Sequence, residues 1–334
     1  MAMVCLQFTS MAAPLHLSVL RLPEPRFQSL SRTSAMTAST ALPSSFPRVW
    51  MITGASRGIG ARIAEAALAQ GDAVVATARD AASIERRLGP SDALLPVALD
   101  VTDEAQARHA VGAALERFGR IDVLVNNAGY GLLGAVEEST ADEVLRLFDT
   151  NVFGLLHVTR AVLPAMRARR AGHVINISSL GGVRSSAGFG VYCATKFAVE
   201  GLTEALHAEL APLGIHATAV QPGYFRTEFL DGASLAVAPR VLDDYAASAG
   251  AVREAARRIN LNQPGDPVRL AQAVMKLVAS PTPPLRLPLG TDTLQTIADT
   301  HAFVAQETAQ WRAVAASTDF PVQEREDAQA LSAG

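Results

Sequence analysis

The chain of 334 residues has only two cysteines, Cys5 and Cys193, far apart and outside any C-x-x-C spacing. That excludes a disulfide framework and a thiolate zinc site. Its seven histidines are scattered, with no H-E-x-x-H, so no metal centre is expected. Excess charge of one sign is missing too: a net charge of −3 gives no reason to expect nucleic acid or an anionic membrane as partner. No apolar run reaches 18 residues, so no membrane span is expected despite a mildly positive mean hydropathy. What the sequence does have is core material: 49% of residues are apolar, enough for one large α/β domain or two small ones.

Residues 1 to about 46 differ from the rest. They are rich in Ser, Thr, Pro and Met and carry Arg21, Arg26 and Arg32 against a single acid, Glu24. This composition resembles a transit peptide. The stretch Leu15 to Leu22 is interrupted by His16, Ser18 and Arg21, which makes a poor secretory core. A non-structural extension is the preferred reading, either disordered or preceding a true start at Met36, with a cytoplasmic location; organelle targeting is the alternative.

From Arg48 onward, short apolar strands alternate with amphipathic helices. Strands are expected at Val49 to Ile52, Ala73 to Thr77, Ala93 to Leu99, Ile121 to Val125, Gly172 to Ile177, Ile215 to Val220 and, at an edge, Leu285 to Leu289. Helical patterns lie near 81–88, 103–118, 140–169, 192–212 and 267–278, with a terminal helix at about 294–316. Strands separated by helices over this length predict an α/β fold: a doubly wound parallel sheet with right-handed crossovers, of Rossmann type. No internal boundary is visible. A single domain over 47–318 is expected, followed by a tail at 319–334.

The first strand runs into Thr53-Gly54-Ala55-Ser56-Arg57-Gly58-Ile59-Gly60 and then an Ala-rich helix. Strand, glycine turn and helix in that order make a phosphate site: Gly54 permits the turn, Gly58 lets the backbone approach a ligand, and Gly60 lets the helix sit near the strand. The helix N-terminus offers unpaired N–H groups and a partial positive charge. The spacing is G-x-x-x-G-x-G, not the commoner G-x-G-x-x-G. After the second strand comes Ala78-Arg79-Asp80. An acid there would bind a ribose 2′-hydroxyl and an Arg would accommodate a 2′-phosphate. Arg79, helped by Arg57, favours NADP(H) over NAD(H), with Asp80 read as a helix cap. Asp100, next to Val101 at the end of the third strand, is placed to meet an adenine amino group, and Asp103 is read as a cap. Asn126-Asn127-Ala128-Gly129-Tyr130-Gly131 ends the fourth strand, where small residues and amides let the chain pass close to a ribose; an ordinary glycine-bearing turn explains the motif equally well.

Tyr192 and Lys196 stand four apart on one helix face, among residues read as apolar, Phe197, Ala198 and Leu202. A phenol near pKa 10 is a poor base at neutral pH. One cation about 4 Å away, at an effective dielectric near 20, favours the phenolate by roughly 4 kcal/mol, about three pKa units. Lys196 is therefore expected to bring Tyr192 into the range of acid–base work.

Together these motifs resemble the short-chain dehydrogenase/reductase family over roughly residues 48 to 290. The match comprises Thr53-Gly54-x-x-x-Gly58-x-Gly60, Asn126-Asn127-Ala128-Gly129, Asn151, Ser179, Tyr192-x-x-x-Lys196, and Pro222-Gly223 leading to Thr227. Asn126 to Gly131, Asn151-Val152-Phe153-Gly154, Pro284-Leu285-Arg286 and Leu289-Gly290 look closest to its 17β-hydroxysteroid dehydrogenase-like branch, a name covering many non-steroid substrates. The resemblance implies roles. Ser179 would hydrogen-bond the reacting oxygen, Tyr192 would transfer the proton, and Lys196 would lower the phenol pKa and hold the nicotinamide ribose. Asn151 would hold a water linking Lys196 to solvent, and Thr227 would hold the carboxamide. Cofactor contacts are also implied for Gly54, Ser56, Arg57, Gly58, Ile59, Gly60, Arg79, Asp100, Val101, Asn127, Ala128, Gly129, Pro222 and Gly223.

The expected activity is interconversion of a ketone or aldehyde and an alcohol by hydride transfer. Walls at Leu180 to Val191 and Tyr224 to about Asn262, including Phe225, Phe229, Leu230, Leu235 and Val237, suit a lipophilic small molecule. Arg184 and Arg226 are read as facing water, and Cys193 as a small packing residue. The alternative is a dinucleotide-binding sensor or scaffold without turnover. A 3-oxoacyl-thioester reductase is a narrower competitor, for which no dense basic patch is found near the cleft. A homodimer or homotetramer through the helices near 140–167 and 192–212 rests on the same resemblance.

Overall fold

β1 (Val49–Thr53) is buried along its whole length. It sends Val49 and Met51 into one hydrophobic layer and Trp50 and Ile52 into another. A strand buried on both faces reads as a continuous apolar run and needs helices above and below it. Trp50 is fully buried and still satisfies its indole N–H, which donates to Asp72 Oδ2 at 2.8 Å.

In the computed structural model, which describes residues 45–232 and 234–320, all strands of the main sheet run parallel. These are β1, β2 (Ala73–Ala78), β3 (Leu94–Ala98), β4 (Val123–Asn126), β6 (Gly172–Ile177), β7 (Ile215–Pro222) and β9 (Arg286–Leu289), in the order β3-β2-β1-β4-β6-β7-β9. The three-residue strands β5 (Gly131–Leu133) and β8 (Leu235–Val237) form a separate parallel pair. α1 (Gly58–Ala69), α2 (Ala81–Leu88) and α8 (Pro267–Ala279) cover one face of the sheet, and α3 (Glu104–Phe118), α5 (Gly154–Arg169) and α6 (Gly190–Leu210) the other. α4 (Ala141–Phe148), α7 (Ala251–Ile259) and α9 (Thr291–Ala316) complete the helices. This is the expected Rossmann-type sheet. The strand order reverses between β1 and β4, and the crevice outside the strand ends there is where such folds bind ligands.

Local chemistry sets the helix starts. Asp80 accepts the N–H of Ala82 at 3.0 Å, and Asp103 accepts those of Ala105 and Gln106 at 2.8 and 3.1 Å. Both aspartates are the caps their positions predict.

The structure departs from the sequence reading in several places. The helical stretch read over 140–169 is two helices, α4 and α5, joined by a π-helical turn at Asp149–Phe153 that carries Asn151. Such turns often occur at functional sites. β5 and β8 were not expected, because three residues are too few to show a period. Phe46, assigned above to the extension, packs edge-on against Phe118 with ring centroids 5.8 Å apart. The readings of a targeting or non-native extension fall largely on residues 1–44, and the tail on 321–334, outside the described residues.

Candidate active site

The glycine turn needs its glycines for different reasons. Gly54 and Gly58 have φ of +65° and +56°, the left-handed region that side chains disfavour. Gly60 has an ordinary conformation, but a Cβ there would stand 2.4 Å from Asn127 Nδ2 and 2.5 Å from the Gly54 carbonyl oxygen. Asn127 is the stitch: its Nδ2 donates to the carbonyls of Thr53 (2.9 Å) and Gly54 (3.0 Å). Thr53 Oγ1 in turn accepts the N–H groups of Asn127 and Ala128 at 2.9 and 3.0 Å. The turn after β1 and the turn after β4 are thus one hydrogen-bonded unit. Arg57 begins α1 without a side-chain cap, and the first turn carries no acid, which suits the helix N-terminus to an anion.

A cleft of about 910 Å³ opens over this unit. Its lining includes Gly54, Ser56, Arg57, Gly58 and Ile59 from the first turn, Arg79 beyond β2, Asp100 and Val101 beyond β3, and Asn127, Ala128 and Gly129 beyond β4. Pro222, Gly223 and Thr227 close it from the β7 side. Of the cofactor residues expected from sequence, only Gly60 is not at the surface of the cleft; it is fully committed to packing on Asn127. The space above a glycine-lined helix N-terminus fits a dinucleotide.

At the β2 end the two candidates for the ribose have separated. Arg79 is exposed and faces the cleft. Asp80 does not line it; beyond capping α2, its carboxylate pairs with Arg86 at 2.9 Å. Arg57 Nε donates to Ser234 Oγ at 3.1 Å, joining the glycine turn to the segment entering β8. Asp100 Oδ1 accepts both the N–H (3.0 Å) and hydroxyl (2.8 Å) of Thr102.

Ser179, Tyr192 and Lys196 come together at the floor of the same cleft. Lys196 and Tyr192 are 7% and 8% exposed. Lys196 Nζ donates to the Ile177 carbonyl at 2.8 Å and stands 5.8 Å from the centre of the Tyr192 ring. Ser179 begins the short helical turn after β6, accepts the Gly181 N–H at 3.0 Å, and lies near enough to Tyr192 to lower its pKa. Asn151 lies behind: its Nδ2 donates to the Tyr130 carbonyl (2.9 Å) and Thr195 Oγ1 (3.1 Å), and its Oδ1 accepts the Tyr130 N–H (3.0 Å). The donors of that amide are spent on holding the chain together.

Two electrostatic expectations are corrected. Burial pushes the Tyr192 phenol above its ordinary value, and Ser179 only partly opposes this. Lys196, anchored on the Ile177 carbonyl, is not among the causes of the shift. Burial in turn pushes Lys196 down to about 8, with the Glu200 charge opposing. The face around Lys196 is also not the one expected. Phe197 is 47% exposed, and the buried neighbours are Val199, Glu200 and Thr203.

The cleft walls mix expected and unexpected residues. Phe189 and Phe229 flank the Tyr192 ring at 6.0 and 5.7 Å between centroids. Leu230, Leu235 and Phe225 line the cleft, whereas Val237 is half exposed and does not. Arg184 reaches the cleft mouth; Arg226 does not line it and donates to the Gln263 carbonyl at 3.2 Å. Cys193 is buried, a packing residue as expected. Tyr130, Arg146, Asp149 and Thr150 also line the cleft. Asp149 and Thr150 were missed because the π turn that presents them was read as plain helix. A buried ion pair, Arg253 with Glu138, ties α7 to the segment after β5; Glu138 also accepts the N–H groups of Leu242 (2.9 Å) and Ala135 (2.7 Å). Among the described residues no group of His, Cys, Asp and Glu could hold a metal, and no helix is long and apolar enough to cross a membrane.

A doubly wound sheet with a glycine-lined crevice, and a Ser beside a buried Tyr and Lys at its floor, defines a dinucleotide-dependent oxidoreductase. Residues 48–236 match the family model for short chain dehydrogenases, and the chain belongs to that family. It is 39% identical over 267 residues to oxidoreductase BOA17 of Botryotinia fuckeliana, covering 79% of this chain and 97% of the relative. A 3-ketodihydrosphingosine reductase of Bacteroides thetaiotaomicron is 39% identical over 247 residues, covering 73% and 88%. The crystal structure of a short-chain dehydrogenase from Streptomyces avermitilis superposes with a TM-score of 0.76 at 41% identity, over 81% of this chain and all of that one. Related structures hold either cofactor: a Burkholderia phymatum short chain dehydrogenase/reductase with NAD (TM-score 0.69, 28% identity, 78% and 95% covered) and ElxO with NADP (0.62, 28%, 74% and 99%).

Proposed function

We propose that the protein is an NADP(H)-dependent reductase of a lipophilic ketone or aldehyde, with Ser179, Tyr192 and Lys196 at the reacting centre and Asn151 supporting them. The observation that carries this reading is the convergence of Ser179, Tyr192 and Lys196 at the floor of the cleft that begins at the glycine turn. A nicotinamide nucleotide bound there supplies the hydride. The protein's part is to position and polarise. The Ser179 hydroxyl donates to the carbonyl oxygen as charge develops on it. Tyr192, kept neutral by burial, is then in the form that can donate a proton to that oxygen, which favours the reductive direction. Lys196 holds the nicotinamide ribose, and Thr227, which packs beside Gly58 at the cleft, holds the carboxamide.

Two arginines and no carboxylate from the β2 end support NADP(H): Arg79 and Arg57 line the cleft while Asp80 is turned away into its cap. Phe189, Phe229, Leu230 and Leu235 support a lipophilic substrate. The 3-ketodihydrosphingosine reductase, a relative named for a ketone reduction, agrees with that class. Assignment to the 17β-hydroxysteroid dehydrogenase-like branch rests on the segments at Asn151 to Gly154 and Pro284 to Gly290. The proposal includes a single catalytic domain over about 47–318, a cytoplasmic location, and a homodimer or homotetramer. Phe153 and Phe197, each 47% exposed next to or on the helices concerned, support the last.

The test is titration of the purified chain with NADPH and NADH, followed by turnover on a panel of ketones and aldehydes. Tight NADPH binding with oxidation on a lipophilic member is the expected result. Binding without turnover on any member would favour a sensor, and no binding would remove the reading.

A further inference from the structure

Glu200 lies one helical turn beyond Lys196 on the same face of α6 and is 7% exposed. Its Oε2 accepts Arg286 Nε from β9 at 3.0 Å, while its Oε1 is buried without a hydrogen-bond partner. The Ser178 hydroxyl, also buried, has none either. Both border Gly182, where a Cβ would stand 2.6 Å from Ser178 Oγ, 3.1 Å from Glu200 Cγ and 3.1 Å from the Lys196 carbonyl oxygen. A polar niche of this kind behind a buried lysine is costly, because a carboxylate oxygen left unpaired in the interior forfeits its hydration. An ion pair serving only to join α6 to β9 needs no such burial. Glu204, which takes the other arm of Arg286 at 2.7 Å from an exposed position, already provides one.

We propose that Glu200 is a positioning residue for the active site, its buried carboxylate keeping the Lys196 side chain an ammonium that can hold the cofactor ribose. The proposal rests on the reading of Lys196 given above. Tyr192, Cys193 and Glu200 are the titratable groups within a turn of Lys196 on its own helix; Ile177 of β6 offers its carbonyl, and the Asn151 amide of the π turn lies close by. Glu200 itself pairs with Arg286 from β9, which also holds Glu204 of α6, and borders the uncharged Ser178 and Gly182 from the turn after β6. The balance on Lys196 is therefore burial against one carboxylate, and with that carboxylate in place its pKa is about 8.

The test measures NADPH affinity by fluorescence from pH 6.5 to 9.5 for the wild-type chain and for Glu200→Gln, Glu200→Asp, Glu204→Gln and Arg286→Met. Thermal unfolding is recorded for each variant. Wild-type affinity should weaken above about pH 8, where Lys196 discharges. Glu200→Gln should move that limb down by about one pH unit or more, as expected for removing one charge within a helical turn. Glu200→Asp keeps the charge and should keep the limb near its wild-type position. Glu204→Gln should leave it unchanged. Arg286→Met removes a cation from the same carboxylate and should leave the limb in place or move it upward, which tests the sign even if Glu200→Gln fails to fold. A wild-type limb in Glu200→Gln would overturn the proposal. So would an equal downward shift in Arg286→Met, which would assign the effect to the α6–β9 ion pair. Failure of the wild-type chain to bind NADPH at all would overturn the underlying reading, and this one with it.

Discussion

Gly60 and Asn127 interlock: a single added carbon on the glycine would overlap the amide nitrogen that ties the first turn of the cleft to the last residues of β4. Neither residue can change without disturbing the other. Gly60→Ala should push the Asn127 amide off the Thr53 and Gly54 carbonyls, costing on the order of 1–3 kcal/mol by overpacking. Because the loops on both sides of the pyrophosphate position move with it, NADPH affinity should fall at least about tenfold, in proportion to a loss of about 1.4 kcal/mol. Thermal unfolding and cofactor titration check the two together. Wild-type behaviour in both would mean the contact relaxes without consequence.

The proton donor is tested where the structure and the simple electrostatic expectation part company. Burial raises the Tyr192 pKa, and the proposed role of the phenol is to give a proton to a substrate oxygen. Tyr192→Phe keeps the ring between Phe189 and Phe229 and removes only the hydroxyl. Turnover should drop about 10²- to 10⁴-fold, the range for loss of a positioned acid, while NADPH affinity changes only a few-fold. Ser179→Ala should cost roughly 10²-fold, as for loss of one donor to a developing oxyanion. Single-turnover measurements at saturating NADPH are the check, and a Tyr192→Phe variant turning over at a rate close to wild type would remove the phenol from the chemistry.

For cofactor choice, Arg79 and Arg57 predict different penalties for the two nucleotides. Arg79 is exposed, and Arg57 is tied to Ser234 at 3.1 Å. Each arginine contacting a 2′-phosphate should contribute about 1.5–3 kcal/mol of charge-assisted hydrogen bonding. Arg79→Ala and Arg57→Ala should each weaken NADPH about tenfold or more and NADH only slightly. Isothermal titration with both nucleotides decides; equal losses for the pair would remove the 2′-phosphate argument.

Much of the site was legible in the sequence because it is built from short-range patterns. The glycine turn between a buried strand and a helix, the aspartates before α2 and α3, and the four-residue spacing of Tyr192 and Lys196 all map onto local geometry. What was not legible depends on contacts distant in sequence. The direction of the Tyr192 shift is set by burial, which depends on packing by Phe189 and by Phe229, distant in sequence. The apolar neighbours assigned to Lys196 failed for a related reason: Phe197 follows it in sequence but points outward, whereas Glu200, a charged residue, is the one that is buried. The π turn at Asp149–Phe153 shifts the helix by one extra residue, a change that leaves no mark on a hydrophobic pattern, and Asp149 and Thr150 reach the cleft through it.

His173 gives the fold a pH dependence separate from the active site. It is 5% exposed on β6, with Nε2 at 3.0 Å from Thr218 Oγ1 and its ring 5.6 Å from that of His216. Burial pushes its pKa from 6.5 down to about 3, and the charges of His216 and His207 act in the same direction. Below about pH 6.5 the unfolded chain takes up a proton that the folded chain refuses. Stability present above that pH is therefore lost as the pH falls toward 3, by about 1.4 kcal/mol per unit. His173→Gln, which can keep the hydrogen bond to Thr218 but does not titrate, should lose less stability than the wild-type chain between pH 7 and 5, by roughly 2 kcal/mol. Urea midpoints at those two pH values measure the difference directly. Parallel losses in the two proteins would mean that His173 is protonated in the fold, and acid sensitivity would then have to come from the carboxylates that cap and pair across the surface.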